Sequence, residues 1–236
     1  MAHARWPPVN PPLHTPAYRD RTEGGRQLAA RLAHLATAAP MVLAIPRGGV
    51  ETARPVADAL GAPLDLMLVR KLPVPFAPET AFGVIAEDGT TILDEELVLR
   101  AGLSKPSIIE TQRRVLEVLR RYAKTFDALR PRFPVAGRTV VLVDDGLATG
   151  YTMLGAVRLC RHWNAGRIVV AAPVASREAV ALVASEADEI VCPIVDPDFF
   201  AVGAYYAHFP QVSDEDVRHL LFPQDPGHLP ASVRAA

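Results

Sequence analysis

The sequence predicts an α/β fold, one parallel β-sheet with helices on both faces, and three observations carry that prediction. Short apolar runs alternate with segments of helical periodicity along the chain. The runs are continuously apolar, as strands buried on both faces are. Segments rich in Asp, Gly and Thr follow directly on such runs, at the strand ends where parallel sheets present ligand sites.

Residues 1–16 hold five prolines and read as a flexible N-terminal segment. Residues 223–236, with Pro223, Pro226, Gly227 and Pro230, read as a loose tail, which leaves 17–222 as one folded domain. Within it, 21–36 places Leu28, Leu32 and Leu35 at helical spacing. Residues 41–45 form an apolar strand that runs into Pro46-Arg47-Gly48-Gly49. Residues 50–60 form a helix that Gly61 can close at the C′ position. A second strand, 64–69, runs out at Arg70-Lys71, and Pro73, Pro75 and Pro78 then mark an irregular stretch.

Residues 81–86 and 90–93 flank Glu87-Asp88-Gly89, and Asp-Gly between two apolar runs is a hairpin signal. Ser104 can cap a long helix to about 129, with Ile108, Val115, Leu119, Tyr122 and Phe126 along one side. Hairpin and helix together make 72–130 an inserted subdomain. The main pattern resumes with a strand at 139–143, a helix at 153–163, a strand at 167–174, a helix at 178–185 and a fifth strand at 189–194.

Lys and Arg number 25 against 26 Asp and Glu, a formal charge of −1 that argues against nucleic acid or an anionic membrane as the dedicated partner. Half of the residues are hydrophobic and 22% are charged, a globular rather than a disordered composition. Cys160 and Cys192 make neither a disulfide framework nor a four-ligand zinc site, and suit buried positions in a reducing, cytoplasmic protein. No apolar run reaches the roughly 18 residues of a membrane span, and no secretory h-region is seen.

The most informative segment is 139–152, TVVLVDDGLATGYT. An apolar strand runs into two carboxylates, and a Gly/Thr turn then opens a helix. Amides at a helix N-terminus bind phosphate, since unpaired N–H groups and the helix dipole both favour negative charge. Gly146 and Gly150 allow close backbone approach, and Thr149 and Thr152 add hydroxyls. Asp144 and Asp145 would repel a phosphate but suit a sugar diol, or Mg²⁺ held near it. The motif reads as a site for a sugar diol and its phosphate. Neither a GxxxxGK[ST] P-loop nor a strand-borne GxGxxG is present.

This segment resembles the signature of the type I phosphoribosyltransferases, and the likeness extends over most of 20–220, much as in bacterial proteins provisionally named as phosphoribosyltransferases. The resemblance implies that fold, with a hood formed by 72–130 and 195–212. It implies that Asp144 and Asp145 hold the ribose hydroxyls of phosphoribosyl pyrophosphate, and that Ala148, Thr149, Gly150, Tyr151 and Thr152 cradle its 5-phosphate. LAIPRGGV, 43–50, is similar to the family's pyrophosphate loop, with Arg47, Gly48 and Gly49 filling it. LVRKLP, 68–73, is similar to the strand end whose Arg70 and Lys71 would meet or brace the pyrophosphate.

DPDFFAVGAYY, 196–206, resembles the hood segment of the hypoxanthine-guanine enzymes. Phe200 then stands where an aromatic stacks on the base, with Phe199 as the alternative register, ahead of Val202 and Gly203. The chain departs from those enzymes at Ala148 and Ala207, where they carry acidic residues, so the acceptor stays open. Glu87, Asp88 and Glu95 are acidic candidates near the hood, and a solvated turn is their plainer reading.

The implied reaction is Mg²⁺-dependent displacement of pyrophosphate by a nucleobase or similar nitrogen, with Asp144, Asp145, Arg47 and Lys71 as the groups at the reacting centre. A homodimer is common in the family. The alternative is a non-catalytic regulator of the same fold that binds phosphoribosyl pyrophosphate or a nucleotide. A ribose-phosphate hydrolase would need a water-activating base that the sequence does not offer.

Overall fold

The computed structural model describes residues 16–126 and 134–222. The two tails and the far end of the long helix, read to 129, fall outside that range apart from Pro16. The chain starts with α1 (Arg21–Leu32), capped by the Asp20 carboxylate accepting from the Glu23 amide, and continues through a short 3-10 helix (Ala33–Ala38). Next come β1 (Met41–Ala44), α2 (Gly48–Leu60) and β2 (Leu64–Leu66). Gly61 ends α2 with φ +58°, the left-handed cap expected of it.

The insertion contains β3 (Val69–Val74), β4 (Ala77–Ala86), β5 (Thr91–Leu93), α3 (Glu95–Arg100) and α4 (Lys105–Lys124). The hairpin about Gly89 and the Ser104 cap of α4 are present as expected. The proline-bearing stretch before the hairpin is not irregular. It forms β3 and the start of β4, which pair antiparallel with register shifts at Leu72, Pro73 and Val74. Arg70 and Lys71 therefore lie inside β3, not at the end of a long second strand. Leu72, Val74, Phe82 and Ile85 form the insertion's own apolar core, against which Leu93, Ile108 and Val115 pack.

The chain returns through β6 (Thr139–Val143), α5 (Tyr151–His162), β7 (Arg167–Ala171), β8 (Val174–Ser176) and α6 (Arg177–Ala184). It ends in β9 (Glu189–Val191), β10 (Ile194–Asp196), a 3-10 turn (Val202–Tyr205) and α7 (Asp214–Leu221). The expected fourth and fifth strands are each broken in two. Pro173 and Pro193 stand at the breaks; Pro173 follows the central strand β7, whose ladder a residue without N–H cannot continue, and Pro193 follows the edge strand β9. The outer pieces, β8 and β10, pair with each other as a separate parallel ribbon.

The main sheet has the order β2-β1-β6-β7-β9, parallel throughout. Met41, Leu43, Val140, Leu142, Ile168 and Val170 face α5 and α6, while Val42, Ala44, Val141, Val143, Val169 and Ala171 face α1 and α2. Two covered faces explain why the strands read as unbroken apolar runs. From β1 the chain moves outward to β2 in one direction and, after the insertion, from β6 outward in the other. The crevice beyond the C-terminal ends of β1 and β6 is thus the sheet's switch point, the place where open α/β sheets bind ligands.

Candidate functional site

Asp144 and Asp145 follow β6 at that switch point. The Asp144 Oδ1 accepts from the Asp145 amide at 2.8 Å. Burial, with the Asp145 charge beside it, pushes the Asp144 carboxyl well above the usual carboxylate range. Asp145 Oδ2 accepts from the Arg21 Nε at 2.7 Å, and the Asp145 carbonyl accepts from the Tyr206 hydroxyl at 2.6 Å. Gly146 completes the turn in contact with Val202: a Cβ on Gly146 would come within 2.6 Å of Val202 Cγ1.

The loop that follows is fastened to β8. Leu147 bridges Ala175, the Leu147 amide donates to the Val174 carbonyl, and Ser176 Oγ donates to the Ala148 carbonyl at 2.7 Å. Ala148 and Thr149 are exposed, and Gly150 is the N-cap of α5 with φ +76° and no side-chain cap. The first-turn amides of Tyr151, Thr152 and Met153 have no intrahelical acceptor, so α5 presents an anion-binding end. A Cβ at Gly150 would press to 3.0 Å on the Ala179 backbone, which makes glycine the fitting residue there for both conformation and space.

β1 leads into a second helix N-terminus. The Pro46–Arg47 peptide is cis, Arg47 is the N-cap of α2, and Gly48 and Gly49 open its first turn. This turn rests on the acidic one: a Cβ on Gly49 would lie 2.9 Å from the Val143 carbonyl and 3.1 Å from Asp144 Oδ1. The half-exposed Arg47 guanidinium sits 3.7 Å from Asp214 Oδ1, at the start of α7. Tyr122 on α4 lies close to these groups. Burial and the Asp214 charge push its phenol up to about 12, against the opposing pull of Arg47 and Arg70.

The other expected residues divide. Lys71, from β3, places its ammonium 5.3 Å from the ring centroid of Tyr151, and so reaches the start of α5. Arg70 is exposed on the same strand. Phe200 projects from the chain at 92% exposure, whereas Phe199 stacks on Tyr205 with ring centroids 5.5 Å apart. Of the two aromatics, Phe200 is therefore the one whose ring is exposed. Among the described residues no group of three or more His, Cys, Asp or Glu side chains could hold a metal. Cys160 and Cys192 are buried, with thiols pushed up to about 12 by burial. A cavity of about 270 Å³ lined by Met41, Leu43, Met67 and Trp163 also takes in Glu87 and Asp88, the acidic candidates of the hairpin, and none of the residues expected to meet the sugar or its phosphates.

Sequence reasoning missed Arg21, Tyr122, Tyr206 and Asp214. Arg21 and Tyr122 join the site across large sequence separations and carry no local motif, while Tyr206 ends the 196–206 segment but meets Asp145 only through the fold. Asp214 did have a local signal: Ser213-Asp-Glu-Asp216 opens α7 as a capping box.

Fold and site together define a phosphoribosyltransferase-type α/β domain. Residues 22–208 match the model of the phosphoribosyl transferase domain, and the chain belongs to that family. It is 46% identical over 200 residues to a Mycobacterium tuberculosis protein, found in strains CDC 1551 and H37Rv, that is named provisionally as a phosphoribosyl transferase. The match takes in 85% of this chain and 45% of the relative, so the chain spans less than half the length of these curated relatives. The crystal structure of the protein TT1426 from Thermus thermophilus superposes with a TM-score of 0.81 at 43% identity, covering 87% of this chain and 98% of that one. No helix among the described residues is long and apolar enough to cross a membrane.

Proposed function

We propose that the chain transfers ribose 5-phosphate from phosphoribosyl pyrophosphate to a nitrogen acceptor of the nucleobase type, releasing pyrophosphate. One observation carries the reading. Two uncapped helix N-termini, those of α2 and α5, flank a pair of carboxylates at the ends of the adjacent strands β1 and β6. That order of anion site, hydroxyl acceptor and second anion site suits a sugar with a phosphate group at each end.

In this reading the α5 amides, with Thr149 and Thr152, take the 5-phosphate. Asp144 and Asp145 accept hydrogen bonds from the ribose hydroxyls. The amides of Gly48 and Gly49, with Arg47 and Lys71, meet the pyrophosphate, and Arg70 adds positive charge nearby. Val202 covers the sugar side and Phe200 stacks on the acceptor ring. The pyrophosphate's negative charge grows as the bond to the anomeric carbon breaks, and fixed amides and cations stabilise that change without reorganising. Acceptor and donor held in line supply the remainder by orientation.

Mg²⁺ fits this donor set. Asp144 and Asp145 are hard oxygen donors on one turn, where burial and the neighbouring Asp145 charge disfavour ionisation of Asp144. Magnesium is commonly held by one or two carboxylates together with substrate phosphates. Asp144 and Asp145 would hold it, directly or through water. When bound it would offset charge on the pyrophosphate.

The test is a panel of nucleobases and amines offered with labelled phosphoribosyl pyrophosphate and Mg²⁺, read as pyrophosphate release. Release that depends on one class of acceptor is the expected result. Tight binding without release under any acceptor would contradict transfer and favour a ligand-sensing regulator.

A further inference from the structure

We infer that Arg21 is a positioning residue, which orients Asp145 and locks the acidic turn to the pyrophosphate-side loop and to the C-terminal hood segment. This rests on the transferase reading above for its consequence, though not for its geometry. Arg21 is 5% exposed, and arginine is buried to that degree only where its charge and donors are matched. Its Nε donates to Asp145 Oδ2 at 2.7 Å, and its Nη1 donates to the Pro210 carbonyl at 2.7 Å. Nη1 also lies 3.7 Å from Glu51 on the first turn of α2. The guanidinium carbon stands 3.6 Å from the Phe209 ring centroid. One planar cation therefore joins α1, the end of β6, the start of α2 and the segment after Tyr206.

Gly48 shows how tight this junction is. A Cβ there would lie 1.9 Å from Asp145 Oδ2 and 3.0 Å from Arg21 Nε. The backbone of the arginine-glycine turn is packed onto the ion pair itself. Asp145 Oδ2 is thus engaged by the protein, and the orientation of that carboxylate toward the sugar is set by Arg21. Lysine can replace the charge but not the fork that serves Asp145 and Pro210 while lying flat on Phe209.

The experiment is a double-mutant cycle of Arg21→Lys and Asp145→Asn, with Arg21→Gln as a second variant should Arg21→Lys fold poorly. The first arm measures urea unfolding without ligand. The two losses of stability should fail to add, since side chains in direct contact couple; additive losses would overturn the pairing. The second arm titrates phosphoribosyl pyrophosphate with Mg²⁺. Arg21→Lys should raise Kd by about tenfold in the wild-type background and by less than about twofold beside Asp145→Asn. An equal effect in both backgrounds, or wild-type affinity in a folded Arg21→Lys, would overturn the positioning role. A wild-type protein that binds no phosphoribosyl pyrophosphate would instead sink the transferase reading, and the ligand-free cycle would still decide the ion pair.

Discussion

Asp144 and Asp145 are adjacent in sequence yet held in different ways, and the difference has a measurable cost. Arg21 faces Asp145, while Asp144 is held by the Asp145 amide and has the second carboxylate for a neighbour. A carboxyl whose folded pKa is raised binds its proton more tightly in the folded state. Its contribution to stability is therefore full below the unfolded pKa, near 4, and is lost as pH rises through the folded value. At neutral pH Asp144 costs stability, so Asp144→Asn should raise the Tm of the ligand-free protein while weakening binding of phosphoribosyl pyrophosphate. A Tm that falls, or affinity that stays unchanged, would contradict this account of the acid pair. The acidic pair and its Gly/Thr loop were legible because each feature lies within 14 contiguous residues, 139–152. Arg21 was not legible, because its partner lies 124 residues away and a lone arginine at a helix start has no signature.

The helices and the main strands followed from periodicity, and the errors at this scale have local causes. Pro73 and Pro75 read as breakers; Pro75 does stand in the turn between β3 and β4, but Pro73 lies on β3, the edge strand of its sheet, where prolines and register shifts are tolerated. Pro173 and Pro193 lie inside apolar runs that read as single strands, and each divides its run. Two helices were missed outright, the six-residue α3 and the eight-residue α7, and α7 rests on its cap: Ser213 Oγ accepts from the Asp216 amide while the Asp216 carboxylate accepts from the Ser213 amide and hydroxyl. Those bonds hold the Asp216 carboxyl below the usual range. The stability it adds is present above the unfolded pKa and is lost as pH falls through the folded one. Ser213→Ala should cost about 1 kcal/mol in urea unfolding. Because α7 carries the Asp214 that faces Arg47, the same change should also weaken pyrophosphate binding. A variant of unchanged stability would show that the cap does not support this helix.

At the scale of the whole molecule, strand order decides where the site lies. The sheet reverses direction of growth between β1 and β6, so the two glycine-rich turns end on neighbouring strands with the carboxylates between them. The sequence could indicate a parallel sheet from its unbroken apolar runs, but the reversal depends on pairing that no local pattern encodes. The central claim is that the two turns hold opposite ends of one ligand. Calorimetric titration of ribose 5-phosphate and of pyrophosphate, each separately, into Arg47→Ala and Thr149→Val tests it most directly. A hydrogen bond to a charged group contributes about 1.5–3 kcal/mol, roughly ten- to hundredfold in affinity. Arg47→Ala should lose that much for pyrophosphate and little for ribose 5-phosphate, and Thr149→Val should do the reverse. If both folded variants lost both ligands equally, the division of the site between the α2 and α5 turns would be wrong.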